Sequence, residues 1–176
     1  MAKDDKVEVL ISEEQLEKRV CEIAEAINED FQGKEILLVG ILKGAVIFMA
    51  DIARRLSLPV TMDFMAVSSY GSATKSSGAV QIIKDIEMSI EGKNVIVVED
   101  IVDSGLTLKY LLENLWARGP EDVKTCVLLD KPEARQVEVP IDYKGFEIPN
   151  QFAVGYGLDY DQKYRNLPYV GVLNLL

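Results

Sequence analysis

With 176 residues and 48% hydrophobic content, the chain has the makings of a single globular domain, large enough to bury roughly 70% of its unfolded surface. The net charge of −10 argues against extended nucleic-acid binding, which needs a basic face; no apolar run approaches the ~20 residues of a membrane span, and Met1–Lys6 lacks a signal-peptide core, so a cytoplasmic protein is expected. Histidine is absent, so acid–base chemistry falls to carboxylates, Lys, Tyr or substrate groups, while Cys21 and Cys126 lie in apolar patterns that suit buried thiols rather than a disulfide.

Ser12 to Gln15 has capping-box spacing, and Leu16, Val20, Ile23 and Ile27 form one stripe, which predicts a helix to about Asp30. Gly33 breaks that pattern before Ile36 to Leu42, a continuous apolar strand ending in Lys43-Gly44. A second helix follows over Ala45 to Leu56, and Pro59 precedes a strand over Val60 to Val67. Ser68 to Gly78 is polar apart from Tyr70; as Ala79 to Ile83 alternates like a strand, this is either a long hairpin connection or a lid over a bound phosphate.

Glu91-Gly92-Lys93 turns into Val95 to Val98, a β-branched run suited to a strand buried on both faces. Glu99 and Asp100 come next, then Ile101-Val102 and the small, hydroxylated stretch Asp103-Ser104-Gly105-Leu106-Thr107. Leu108, Leu111, Leu112 and Leu115 mark a helix that Gly119-Pro120 stops. Val123 to Leu129 is another parallel strand, ending at Asp130-Lys131-Pro132; Arg135 to Asp142 is loop-like. Tyr143 to Ile148, Gln151 to Gly155 and Val170 to Leu173 are short strands.

This order predicts an α/β fold: a largely parallel core sheet of about five strands flanked by helices, over about residues 31–131. A small hood of short strands is expected from about 132–176 plus N-terminal residues, all in one domain over 1–176. Ligands of such sheets bind outside the carboxyl ends of the strands, where Lys43, Glu99, Asp103 and Lys131 fall. A glycine-bearing loop opening a helix gathers free N–H groups and the positive end of a helix dipole, which attracts phosphate. Carboxylates just upstream repel phosphate unless they hold ribose hydroxyls or a divalent cation. Together the two describe a phosphorylated ribose.

Glu99 to Thr107, with the apolar strand before it, resembles the phosphoribosyl-pyrophosphate (PRPP) motif of type I phosphoribosyltransferases. Other stretches resemble the 6-oxopurine branch, the hypoxanthine-guanine phosphoribosyltransferases, and the resemblance covers most of the chain. Leu42-Lys43-Gly44 is similar to that family's diphosphate loop, which carries a non-proline cis peptide. Ser69-Tyr70 matches its lid tip. Gly145 to Pro149 and Phe152 to Tyr160 resemble its purine segment, and Arg165 falls at its diphosphate-contacting Arg.

The resemblance implies Mg²⁺ as cofactor and PRPP with a 6-oxopurine as substrates. The 5′-phosphate would sit on Asp103, Ser104, Gly105, Leu106 and Thr107, the ribose hydroxyls on Glu99 and Asp100, directly or through Mg²⁺, and the diphosphate on Lys43, Gly44 and Arg165. Lys131, by default a solvated cation, would donate to purine O6 and disfavour adenine. Phe152 would stack on the base; Ala153 carbonyls and the Asp159 side chain or backbone would meet its other edge, and Asp159 could hold a second Mg²⁺. Asp103 is the candidate general base toward N7. The expected reaction gives IMP or GMP plus diphosphate, in a homodimer or homotetramer without nucleic-acid or membrane partners. A xanthine-preferring transferase, one for adenine or a pyrimidine, and a PRPP-fold regulator that reads nucleic acid are the alternatives.

Overall fold

The computed structural model describes residues 6–69 and 80–174. Strand β1 (Lys6–Ile11) leads into helix α1 (Glu13–Asp30), and its capping box is formed: the Gln15 N–H donates to Ser12 Oγ at 3.2 Å and the Ser12 N–H donates to Gln15 Oε1 at 2.9 Å. Then come β2 (Ile36–Leu42), α2 (Val46–Ala53), β3 (Val60–Ser69), β4 (Val80–Lys84), β5 (Asn94–Val102), α3 (Leu106–Trp116) and β6 (Asp122–Asp130). The chain closes with β7 (Tyr143–Glu147), β8 (Ala153–Val154) and β9 (Val170–Asn174).

The main sheet has six strands in the order β4-β3-β2-β5-β6-β7, parallel except for the antiparallel β3–β4 hairpin. Its continuous apolar strands alternate sides: Ile36 and Leu38 of β2 and Ile96 and Val98 of β5 join the core under α1 and α2. Leu37, Val39, Val95 and Val97 join the one under α3, with Leu108, Leu111, Leu112 and Leu115. Each strand is therefore buried on both faces, as a parallel sheet between helix layers requires.

A separate three-stranded sheet, in the order β1-β9-β8, joins the N-terminal strand to the last two strands of the chain. Tyr143–Glu147 is the exception to expectation. It is a sixth strand of the main sheet, parallel to β6 in the register Cys126↔Tyr143 and Leu129↔Phe146, and not part of the hood. Gly145 explains how closely it docks, since a Cβ there would strike the Leu128 carbonyl of β6. Ser68↔Gln81 and Ser69↔Val80 pair β3 with β4 antiparallel, while Tyr70 and the rest of the expected lid lie outside the described residues. No helix among the described residues is long and apolar enough to cross a membrane.

From β2 the chain crosses to β3 on one side, and from β5 to β6 on the other. Adjacent connections leaving in opposite directions open a crevice beyond the carboxyl ends of β2 and β5. Lys43-Gly44 and Glu99-Asp100 stand at that switch point.

Candidate active site

Strand β5 carries Glu99 and Asp100 within its last turn of ladder and releases the chain at Asp103 into a bend closed by Gly105, the N-cap of α3. Gly105 has φ +84°, a conformation that costs a residue with a Cβ, so the turn needs glycine. The bend and the first turn of α3 bound a cavity of about 160 Å³ with Glu99, Ile101, Val102, Asp103, Ser104 and Thr107 among its walls. Of the five residues expected on phosphate, Leu106 alone does not line it; its N–H donates to Ser104 Oγ at 3.3 Å.

Glu99 is 7% exposed, and burial, then the Asp100 charge beside it, push its carboxyl well above the usual range. Burial also raises Asp100, against bonds from Glu99 and the Ile101 N–H and the charge of Arg165. Gly44 lies against this pair: a Cβ on it would overlap the Asp100 carboxylate, and a Cβ on Gly157 would overlap the Gly44 carbonyl. The Leu42–Lys43 peptide is cis.

Lys43 and Arg165 meet on one neutral acceptor. The Lys43 ammonium and an Arg165 Nη2 each donate to Gln162 Oε1 at 3.2 Å, so the two cations stand no more than twice that distance apart. Arg165 is further fixed by Nη1 donating to the Gly157 carbonyl at 2.8 Å and by an ion pair with Asp159 at 3.1 Å. The other Asp159 oxygen accepts the Gln162 N–H at 2.8 Å. Asp159 thus serves Arg165 and Gln162, and among the described residues no three acidic, His or Cys side chains converge on a metal position.

Beyond β6, the Lys131 N–H donates to the Val102 carbonyl at 3.0 Å and its ammonium lies 3.3 Å from Asp103 Oδ1. Lys131 is buried and is therefore not the solvated cation its type suggests. Phe152 is 48% exposed, its ring edge-on to Tyr160 at 5.6 Å, while Ala153 is buried in β8 opposite Val172. Chemically, the carboxyl ends of the strands bring together a small cavity at a helix N-terminus, two clustered cations, an adjacent acid pair of which Glu99 is buried, and a donor beside an acceptor.

Two contributors escaped sequence reasoning. Gln162 is the shared acceptor for Lys43 and Arg165, and Arg135 reaches the Asp103 carbonyl at 3.2 Å, while Tyr160, the last residue of the stretch that resembles the purine segment, packs its ring against Phe152. Gln162 has φ +63°, and no local pattern in the sequence announces that.

The family described as a phosphoribosyl transferase domain matches residues 8–161. The chain is 51% identical over 172 residues to a hypoxanthine-guanine phosphoribosyltransferase of Mycobacterium avium, covering 94% of this chain and 85% of the relative. It is 50% identical over 173 residues to the enzyme of the same name from Bacillus subtilis (strain 168), covering 98% and 96%. Its fold matches the crystal structure of a hypoxanthine-guanine phosphoribosyltransferase from Bacillus anthracis with a TM-score of 0.92 at 47% identity, covering 98% of this chain and all of that one.

Proposed function

The chain belongs to the phosphoribosyl transferase family, and from that premise we propose that it is a hypoxanthine-guanine phosphoribosyltransferase of purine salvage. It moves the 5-phosphoribosyl group of PRPP to hypoxanthine or guanine, giving IMP or GMP and diphosphate. The observation that carries this reading is the Lys131–Asp103 pair, 3.3 Å apart at the mouth of the phosphate cavity. A 6-oxopurine has an acceptor, O6, next to N7–H, a donor. Lys131 has only donors and a carboxylate only acceptors, so Lys131 matches O6 and Asp103 the N7–H, while Lys131 presents no acceptor to the 6-amino group that replaces O6 in adenine.

In this reading the loop Asp103–Thr107 takes the 5′-phosphate on its N–H groups and the α3 dipole, and Glu99 and Asp100 align the ribose hydroxyls. Lys43, Gly44 and Arg165 hold the diphosphate as it leaves, and Gln162 keeps the two cations close before it arrives. Phe152 stacks on the base, whose other edge faces the Ala153 and Asp159 segment. Asp103 accepts the N7 proton as N9 attacks C1′, a transfer that typically contributes ~10²–10⁴-fold. Ser69 and Tyr70 belong to the lid of this scheme.

The residues fit a divalent cation. Burial raises the pKa of both adjacent carboxyls, Glu99 buried and Asp100 half-buried, and Mg²⁺ commonly takes one or two carboxylates together with substrate oxygens. Glu99 and Asp100 would hold it, with Asp159 toward a second ion, and when bound it would offset charge on the diphosphate. We further propose a single cytoplasmic domain, with β7 now counted in its core. It works as a homodimer or homotetramer, and Val46 and Met62, 39% and 45% exposed, supply apolar surface for assembly.

A spectrophotometric assay with Mg²⁺-PRPP and a panel of bases tests the reading. Hypoxanthine and guanine turn over, adenine barely does, and Asp103→Asn loses roughly 10²-fold or more in kcat. Turnover of orotate or uracil alone, or an unimpaired variant, refutes it.

A further inference from the structure

Asp130 is the last residue of β6 and one of few charged side chains buried in the molecule, at 3% exposure. Its two oxygens go different ways. Oδ1 pairs with the Arg135 guanidinium, itself mostly buried, and Oδ2 pairs with Lys144 of β7 at 2.8 Å. Arg135 does not stop at Asp130: its Nε donates to the backbone carbonyl of Asp103 at 3.2 Å. The next two residues continue the contact, because the Gln136 and Val137 N–H groups both donate to the Ser104 carbonyl, at 2.9 and 3.1 Å. Gly105 packs against the same segment, where a Cβ would lie 2.8 Å from the Val137 carbonyl and 3.0 Å from Arg135 Cδ.

The consequence follows from peptide geometry. In a planar trans peptide the C=O and the N–H of the next residue point in opposite directions. Drawing the Asp103 and Ser104 carbonyls toward residues 135–137 turns the Ser104 and Gly105 N–H groups the other way, toward the cavity that these residues line. We propose that the buried Asp130–Arg135 pair is a positioning element for the 5′-phosphate loop. Asp130 orients the guanidinium, the guanidinium holds the Asp103 carbonyl, and the loop presents its N–H groups already aligned. The Lys144 arm of Asp130 only fastens β7 to β6. The inference rests on the reading of this cavity as the phosphate site.

Calorimetric titration of the full-length protein with ribose 5-phosphate, beside steady-state kinetics, tests it. Asp130→Asn and Arg135→Lys each weaken ribose 5-phosphate binding about tenfold, and the double variant is little worse than either alone, since both break one linkage. The KM for PRPP rises in parallel while the KM for hypoxanthine stays put, a split that general loosening of the fold does not produce. Lys144→Met cuts the other arm and lowers Tm with ribose 5-phosphate affinity kept within about twofold. Variants that lose Tm but keep wild-type affinity, or a Lys144→Met that loses affinity equally, overturn the inference. A wild-type chain that takes up no ribose 5-phosphate overturns the transferase reading and this inference with it; tight wild-type binding retained by Asp130→Asn and Arg135→Lys overturns the inference alone.

Discussion

Glu99 is a carboxyl that the free protein holds against its own stability. Burial and Asp100 raise its pKa above the ordinary 4.5. A group whose folded pKa exceeds its unfolded one binds its proton more tightly when folded. Its contribution to stability is therefore whole below 4.5 and is lost as the pH rises through the folded value. Above its folded pKa Glu99 is thus a net cost to stability, and in the proposed mechanism that cost is met by the ribose hydroxyls or cation the pair would hold. Glu99→Gln should melt several degrees above the parent at about pH 8, and the two should converge as the pH falls toward 4.5. Melting curves across that range check it, and a variant no more stable than the parent at the alkaline end contradicts the account. Lys131 carries the matching prediction for selectivity. Lys131→Gln replaces a pure donor with a group that can also accept, so kcat/KM for hypoxanthine should fall ~10–10²-fold while adenine gains relative to it. Competition between the two bases measures that ratio.

At the scale of elements, the parts of the site made by contiguous chain were legible and the parts made by contact were not. β5, the bend and α3 follow one another without interruption, so their buried run, glycine and leucine stripe sufficed to place Glu99 through Thr107. The capping box of α1 was equally local. β7 was misplaced because the β6–β7 connection contains only a short 3₁₀ turn, Pro132–Ala134, whereas parallel neighbours are usually announced by a crossover helix. Arg135 and Gln162 act by reaching across to backbone or side chains set by other segments, and no spacing encodes that. The same distinction orders the effects of mutation. Ser12→Ala removes a local cap and should cost about 1 kcal/mol by denaturant titration, with kinetics unchanged. Gly44→Ala, by contrast, sets a methyl group on the Asp100 carboxylate inside the crevice. It should raise the KM for PRPP at least about tenfold while disturbing the melting temperature less than that loss implies; an unchanged KM would mean that the contact between Gly44 and Asp100 lies outside the PRPP site.

Taken whole, the molecule carries −10 yet accepts a highly anionic sugar. The resolution lies in range. At ionic strengths near 0.01 M the Debye length is about 30 Å, so an approaching PRPP feels the entire protein and is repelled; at 0.1 M it is about 10 Å, and little beyond the crevice counts. Inside the crevice the charges are local and differently arranged. Lys43 and Arg165 share Gln162, Lys131 is buried beside Asp103, and the N–H groups of the loop carry no net charge at all. Contacts at about hydrogen-bond distance are screened far less than the long-range field. Monovalent salt should therefore help this enzyme before it hinders it. At saturating Mg²⁺, kcat/KM for PRPP should rise roughly twofold or more between about 0.01 and 0.1 M KCl, while kcat at saturating substrate changes little. A protein that steers its anion with a basic surface shows the reverse slope, so a steady fall of kcat/KM over that range would mean that the local cations, and not the acidic exterior, govern the encounter.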